Sequence, residues 1–323
     1  MRKMYVKTFE TFNLNEENDF SNLGLNSNMP SDKAVLFLNW TYEIEDKEGK
    51  KYNIGELIEK HFKNSEFSKL ENIHFLDGEI YNKTTKLSDY SFVFIGTVGD
   101  SYENLILVED YCKTHNIPTL AYGANTFENN KFRQLQELAK AGIKIPKTYT
   151  FNSGKTCDIE FVEKHFTYPM VLKPAHGSKG RGVQIIKNNS EFKKALNSIK
   201  EEILMIQEFL PNDCDYRIYF IGDKHAFTAK RSSTDEKEFR NNISLGGKSK
   251  FVNLNYSQMQ IAKKAHKCMG FYVSGVDLIE NKETGEWYVL EVNSAPQFSG
   301  FGDKKFCEDI IQIFADSINR LKK

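Results

Sequence analysis

The sequence predicts an α/β protein in which a small parallel unit precedes a strand-rich module, and three features carry that prediction. Short apolar runs alternate with helix-spaced segments between residues 34 and 121, the order expected of a layered parallel sheet. Residues 168–187, YPMVLKPAHGSKGRGVQIIK, hold two β-prone runs around a loop with three glycines; this reads as a hairpin with a flexible tip. Residues 275–279 (GVDLI) and 287–293 (WYVLEVN) are apolar runs joined by a turn, and each carries acidic residues in its interior.

Composition narrows the class. At 323 residues the chain exceeds one ordinary core, so about two or three packed units are expected. Lys+Arg and Asp+Glu are equal at 44 each, which leaves no basic footprint for nucleic acid. The apolar runs are far shorter than a membrane span, and the N-terminal stretch MRKMYVKTFETFNLNEENDF lacks the uninterrupted apolar segment of a secretory signal. Cys112, Cys157, Cys214, Cys268 and Cys307 form no C-x-x-C pair. They read as reduced thiols of a cytoplasmic protein, not as a disulfide framework or a zinc site.

Taken in order, residues 1–32 are rich in Asn, Ser and Glu without apolar periodicity and read as an irregular arm. Residues 34–38 (AVLFL) form a strand ending at Asn39 and Trp40. Ile54, Leu57, Ile58, His61 and Phe62 share one face of a helix over 54–67. Strands follow at 73–76 and 91–95, the second running into a loop from Gly96 to Gly99 and Asp100; a helix over 102–115 and a strand at 119–121 complete the unit. Ligands of such sheets sit beyond the carboxyl ends of strands. Asn39-Trp40 and Gly96 to Gly99 are thus candidate substrate loops, although glycine and asparagine also mark plain turns.

Phe132, Leu135, Leu138 and Ala139 mark an amphipathic helix within 125–142, with Lys131 in its first turn and Gly142 and Pro146 as stops. A strand at 148–151, a helix at 159–165, the glycine hairpin and an exposed helix at 191–200 come next. Residues 204–211 form a strand broken by Pro211, and 215–221 and 226–231 flank a turn at Gly222-Asp223. Phe239-Arg240-Asn241-Asn242 precedes the loop Leu245-Gly246-Gly247, and 256–269 is a helix.

Two places carry chemistry. In the hairpin, Lys173 ends the first strand, and Gly177, Gly180 and Gly182 follow. Small residues let a backbone approach an anion and turn its N–H groups towards it, while the lysine supplies charge for phosphate oxygens. The glycine order matches neither the dinucleotide fingerprint nor the P-loop, so the segment alone is equally an ordinary hairpin with Lys179 and Arg181 at its tip. In the C-terminal pair, Asp277 faces a run carrying Glu291 and Asn293, which are two apart and share a face. A carboxylate in so apolar a strand is costly unless partnered. Three converging oxygen donors with room for phosphate and water suit Mg²⁺.

Together these residues carry a resemblance. K-P-x-x-G-S-x-G-x-G-V, Q-E-F-L, D-Y-R, F-R-N-N, G-V-D and E-V-N-S-A-P, in that order across about 125–302, resemble the ATP-grasp superfamily. Within it the chain most resembles the ribosomal-protein glutamate ligases of the RimK type, with glutathione synthetases and D-alanine ligases as cousins. The resemblance implies an N-terminal α/β pre-grasp domain (33–124) and a two-subdomain ATP-grasp fold: a central subdomain with a flap (125–205) and a C-terminal subdomain with a metal site (206–323). It implies that Lys131 and Lys173 hold ATP phosphates under a flap formed by Gly177, Ser178, Gly180 and Gly182. By the same resemblance Gln207, Glu208, Phe209 and Leu210 receive adenine and Asp215 faces ribose. Arg240 and Asn242 match the pair beside the transferred phosphoryl group, with Lys173 as their catalytic companion, and Asp277, Glu291 and Asn293 match the metal ligands. Gln297 stands where glycine is common after the last motif, a departure that bears on substrate identity.

The implied activity is a cytoplasmic ATP- and Mg²⁺-dependent ligase, with Mn²⁺ as an alternative ion. It joins an amino-acid carboxylate such as glutamate to an amine of a peptide, protein or small molecule through an acyl phosphate. Other readings are a dipeptide, D-alanine-type or glutathione-synthetase-like ligase, or an ATP-binding regulator without turnover. Neither nucleic acid nor membrane is an expected partner, and self-association is left open.

Overall fold

The computed structural model describes residues 33–38, 43–46, 48–53, 60–62, 64–96, 102–121, 131–152, 154–175, 182–198, 203–233, 248–294, 296 and 302–321. The chain enters through β1 (Val35–Leu38), buried at all four side chains. An antiparallel pair, β2 (Glu43–Glu45) and β3 (Lys51–Asn53), follows. β4 (Ser65–Ser68) then lies parallel to β1 with Phe67 opposite Phe37. An antiparallel meander, β5 (Ile73–Leu76), β6 (Glu79–Asn82) and β7 (Thr85–Lys86), comes next. β8 (Phe92–Ile95), α1 (Tyr102–Thr114) and β9 (Thr119–Ala121) complete a parallel sheet of order β4-β1-β8-β9. Near-continuous apolar strands suit this position, because a parallel sheet is covered on both faces. Leu36, Leu38, Val93 and Ile95 pack with Leu105 and Val108 of α1, while Val35, Phe37, Phe92 and Phe94 face the opposite way.

Two expectations for this unit are corrected. The helix expected over 54–67 does not include its last residues: Ser65–Ser68 is a strand, and residues 54–59 lie outside those described. Phe67 stacks on Phe37 with ring centroids 5.0 Å apart, so cross-strand packing outweighs the helical spacing. Residues 73–76 are a strand as expected, but in the meander and not in the parallel sheet.

The middle of the chain contributes α2 (Lys131–Lys140), β10 (Thr148–Phe151), α3 (Ile159–His165), β11 (Met170–Pro174), β12 (Gln184–Ile186), α4 (Asn189–Ser198) and β13 (Leu204–Glu208). These four strands form an antiparallel sheet of order β10-β13-β11-β12. The hairpin closes as the sequence suggested, Met170 opposite Ile186. α3 starts where the Asp158 carboxylate accepts the Phe161 N–H at 2.9 Å, an ordinary N-cap. α4 is not simply exposed: Phe192, Ala195 and Leu196, at helical spacing, are buried beside Met170, Leu172, Leu204 and Ile206.

The last part contributes β14 (Asp215–Ile221), β15 (Lys224–Ser232), β16 (Lys248–Phe251), α5 (Tyr256–Met269), β17 (Val273–Glu280), β18 (Trp287–Asn293) and α6 (Lys304–Leu321). The five strands are antiparallel in the order β16-β15-β14-β17-β18. Alternate residues Ile218, Phe220, Val276 and Leu278 face α5 and α2, whereas Tyr219 and Ile221 join Phe37, Phe94 and the α6 residues Ile310 and Ile311. The face that carries Tyr219 and Ile221 also carries Asp215, Arg217, Arg231, Asp277 and Glu291 at its other end.

Candidate active site

A cleft of about 910 Å³, open to solvent, separates the antiparallel sheets and is lined by Lys131, Val171, Lys173, Gln207 to Leu210, Asp215, Arg231, Asp277, Ile279, Leu290 and Glu291, among others. Its mixed lining, apolar side chains with a few convergent charged groups, is that of a small-ligand site.

Strand alternation supplies each wall. In β11, Met170, Leu172 and Pro174 are buried in the core of their sheet, which turns Val171 and Lys173 to the cleft. In β17 the same period sends Val276 and Leu278 inward and Asp277 and Ile279 outward. β18 departs from simple alternation. Asp277 pairs with Glu291 but Leu278 pairs with Val289, so Leu290 is an extra residue. This bulge lets Val289 and Val292 both enter the core while Leu290 and Glu291 both line the cleft; bulges re-aim side chains in this way.

α2 docks on β18 through buried Gln134, whose Oε1 accepts the Val292 N–H at 3.3 Å. Docking brings Lys131, the first residue of α2, to 3.3 Å from Glu291 Oε2. Asn293 Nδ2 donates to Glu291 Oε1 at 3.0 Å.

Two arginines complete the floor. Arg217 forks onto Asp277, Nε to Oδ1 and Nη2 to Oδ2, both at 2.6 Å, and its Nη2 lies 3.9 Å from Glu291 Oε1. Arg231 donates from Nε to Asp215 Oδ1 at 2.5 Å, and its Nη2 lies 3.1 Å from Asp277 Oδ2 as an ion pair. The register makes these partners neighbours: Arg231 lies opposite Asp215, Arg217 opposite Asp277, and Asp277 opposite Glu291. Gly275 leaves room for this, since a Cβ there would lie 3.3 Å from Arg217 Cδ and 2.8 Å from Pro296 Cβ. Bidentate guanidinium–carboxylate pairs are strong and geometrically fixed.

The charges shape one another. Burial and the neighbouring Lys131 push the Lys173 ammonium down to about 8, against the pull of Glu291. Burial resists ionisation of Glu291, but Lys131, Arg217 and Lys173 outweigh it and hold its carboxyl well below the usual carboxylate range. Cations thus converge on a carboxylate that stays charged.

At the hinge, Gln207 Nε2 donates to Thr148 Oγ1 at 2.9 Å, and the Glu208 N–H donates to Lys147 O at 3.0 Å. Glu208 Oε1 accepts the Lys147 N–H, and Leu210 O accepts from Asn212. Gly182 has φ +74 and a Cβ there would fall 2.9 Å from Pro174 Cγ, so the approach to β12 needs glycine.

Of the residues singled out from the sequence, Lys131, Lys173, Gln207, Glu208, Phe209, Leu210, Asp215, Asp277 and Glu291 line this one cleft. Asn293 reaches it through Glu291. Gly182 lies just before β12, while Gly177, Ser178, Gly180, Arg240 and Asn242 lie outside the described residues, as do Asn39, Trp40 and residues 97–100. Arg217, Arg231 and Gln134 received no role from sequence. A charged residue within a buried strand was the available signal for both arginines. Asp277, Glu291 and Asn293 offer hard oxygen donors that fit Mg²⁺, and among the described residues no three His, Cys, Asp or Glu side chains gather as a separate metal site.

The fold is that of ATP-grasp ligases. It matches the structure of the ATP-grasp ligase PsnB complexed with precursor peptide PsnA2 and AMPPNP (TM-score 0.61, 14% identity, covering 92% of this chain and 99% of that one). It matches the VanG D-Ala:D-Ser ligase from Enterococcus faecalis similarly (TM-score 0.60, 15% identity, covering 90% of this chain and 99% of that one). The RimK-like ATP-grasp domain model matches residues 128–318, more than half of the chain, which therefore belongs to that family. A relative named probable alpha-L-glutamate ligase, from Legionella pneumophila (strain Corby), is 35% identical over 175 residues, 53% of this chain. The match spans 57% of the length of that relative.

Proposed function

We propose that the chain is an ATP- and Mg²⁺-dependent carboxylate–amine ligase that adds an amino acid, L-glutamate in the leading reading, to an amine through an acyl phosphate. The observation that carries this is the cleft itself: Lys131 and Lys173 converge over Glu291 and Asp277 beside the hinge strand. Membership of the RimK-like family supports it, and the name of the Legionella relative supports glutamate. The precursor peptide in the PsnB structure makes a peptide amine one acceptor class to test.

A carboxylate does not condense with an amine in water at neutral pH, so its oxygen must first take the ATP γ-phosphoryl group; the amine then displaces phosphate. Positioning and charge neutralisation are the protein's share of that work. Lys131 and Lys173 hold phosphate oxygens, the hinge from Gln207 to Leu210 receives the base, and Asp215 faces the ribose. Arg240 and Asn242 stand beside the transferred group, with a guanidinium suited to bidentate phosphoryl contact. The flap from Gly177 to Gly182 excludes water from the acyl phosphate. Asp277, Glu291 and Asn293 hold Mg²⁺, with Mn²⁺ as a substitute, and the ion when bound neutralises charge on the phosphates.

The test is ADP release in the presence of amino-acid and peptide pools, with wild type and Glu291→Gln compared. The substitution keeps volume and removes charge, so ADP release should be abolished with the circular dichroism spectrum unchanged. Wild-type turnover by the variant would contradict the site.

A further inference from the structure

Each carboxylate of the cleft floor is held by a cation of the same chain. Lys131 is 3.3 Å from Glu291, Arg217 is forked onto Asp277, and Arg231 bridges Asp277 and Asp215. Among the described residues four cations (Lys131, Lys173, Arg217, Arg231) and four carboxylates (Glu208, Asp215, Asp277, Glu291) line or underlie the cleft, so their formal charges cancel. A free divalent ion approaching this set meets no net attraction. A polyphosphate meets two lysine ammoniums on the cleft wall, Lys131 and Lys173.

The cations are not equally fixed. Arg217 and Arg231 side chains are 16% and 4% exposed, and Arg217 makes a two-bond fork. Lys131 is 24% exposed and touches Glu291 on a flexible stem. A planar fork is rigid, whereas an ammonium on four methylenes relocates readily. Phosphate oxygens would draw the lysines before the arginines, and Lys131 is the lysine that touches Glu291.

We infer that Lys131 acts as a phosphate-released guard on Glu291, so that nucleotide opens the metal site and the divalent ion binds with nucleotide instead of before it. The inference rests on the nucleotide reading proposed above. The donor set agrees: among the described residues no third acidic, histidine or cysteine side chain joins a metal cluster, so an ion at Asp277, Glu291 and Asn293 completes its oxygen shell from phosphate and water. Coupling of this kind is reciprocal, and each ligand tightens the other by the same factor.

The experiment is a Mn²⁺ titration read by electron paramagnetic resonance, with and without the non-hydrolysable ATP analogue AMPPNP, on wild type and Lys131→Met. AMPPNP binding is measured separately by equilibrium dialysis. Wild type should bind Mn²⁺ about tenfold or more tightly with the analogue than without it, within the usual range of coupling. Lys131→Met should bind Mn²⁺ without the analogue about tenfold more tightly than wild type, approaching the analogue-bound affinity. Equal Mn²⁺ affinity with and without bound analogue overturns the inference and leaves the nucleotide reading standing. A Lys131→Met variant no tighter than wild type overturns the guard. Failure of AMPPNP to bind at all overturns the nucleotide reading, and the inference with it.

Discussion

Lys173 stands where β11 turns a side chain out of its own core and towards Lys131 and Glu291. Its ammonium is pushed down to about 8, from an ordinary value of 10.5, first by burial and then by Lys131. Between those two pH values the unfolded chain holds a proton that the folded chain has released, so this group's contribution to stability rises with pH through that window. Binding has the opposite sign. Phosphate favours the charged lysine, so nucleotide affinity should fall as pH rises past about 8, and Lys173→Met should flatten that fall. An unchanged alkaline slope in the variant, measured by nucleotide titration across pH, would remove Lys173 from the phosphate site. Asp277 and Glu291 could be singled out in the sequence because a charge inside an apolar run is expensive without a purpose, and Lys173 because it ends a strand just before a glycine loop. The roles of Arg217 and Arg231 could not be read the same way. Their partners follow from the neighbour order β15-β14-β17-β18, and spacing along one strand does not state which strand lies beside it.

At the scale of elements, α5 shows how a helix is held to the sheet that carries the site. Its start is a capping box in which Asn255 and Gln258 bond each other's backbone, and its stop is Gly270 at φ +66. These caps fix its two ends. Its buried His266 is bonded at both ring nitrogens, Nδ1 to Ser274 Oγ and Nε2 to Gly222 O, each at 2.8 Å, and stacks on Phe220. Burial pushes this imidazole down to about 4 from 6.5. Between those values the unfolded chain takes up a proton that the folded chain refuses, so stability is lost as pH falls from 6.5 towards 4, by roughly 3 kcal/mol at the lower end. Urea unfolding across that range should show the loss in wild type and not in His266→Leu, which should itself be less stable by about 1–3 kcal/mol through two unsatisfied polar partners. Identical pH slopes would assign the acid sensitivity elsewhere. Short elements were less legible. β2, β3, β6, β7 and β16 have no more than four residues each and show no period of their own, and α6 was not anticipated. β4 carried a helical spacing that its pairing with β1 overrode.

Across the whole molecule, one apolar cluster joins the parallel sheet to the five-stranded sheet and α6. Val35, Phe37, Phe92 and Phe94 of the parallel sheet pack with Tyr219, Ile221 and Phe227 of the five-stranded sheet and with Cys307, Ile310, Ile311 and Ala315 of α6. Ile310→Ala should therefore lower stability by about 2–5 kcal/mol, the usual range for such a truncation. Amide exchange in β1 and β8 should rise together with that in β14 and β15. Exchange rising in α6 alone would show that the cluster does not bind the units into one cooperative body. Upon this frame the bulged β18, the forked arginines and the lysines of α2 and β11 face one cleft, and the central claim is that a carboxylate is phosphorylated there before an amine attacks it. Turnover with ATP, an amine pool and amino acids ¹⁸O-labelled in their carboxylates tests this most directly, with mass analysis of the released phosphate. Acyl-phosphate chemistry transfers one carboxylate oxygen to phosphate, so the account predicts ADP together with ¹⁸O-labelled inorganic phosphate; ADP with unlabelled phosphate, or AMP in its place, would contradict it.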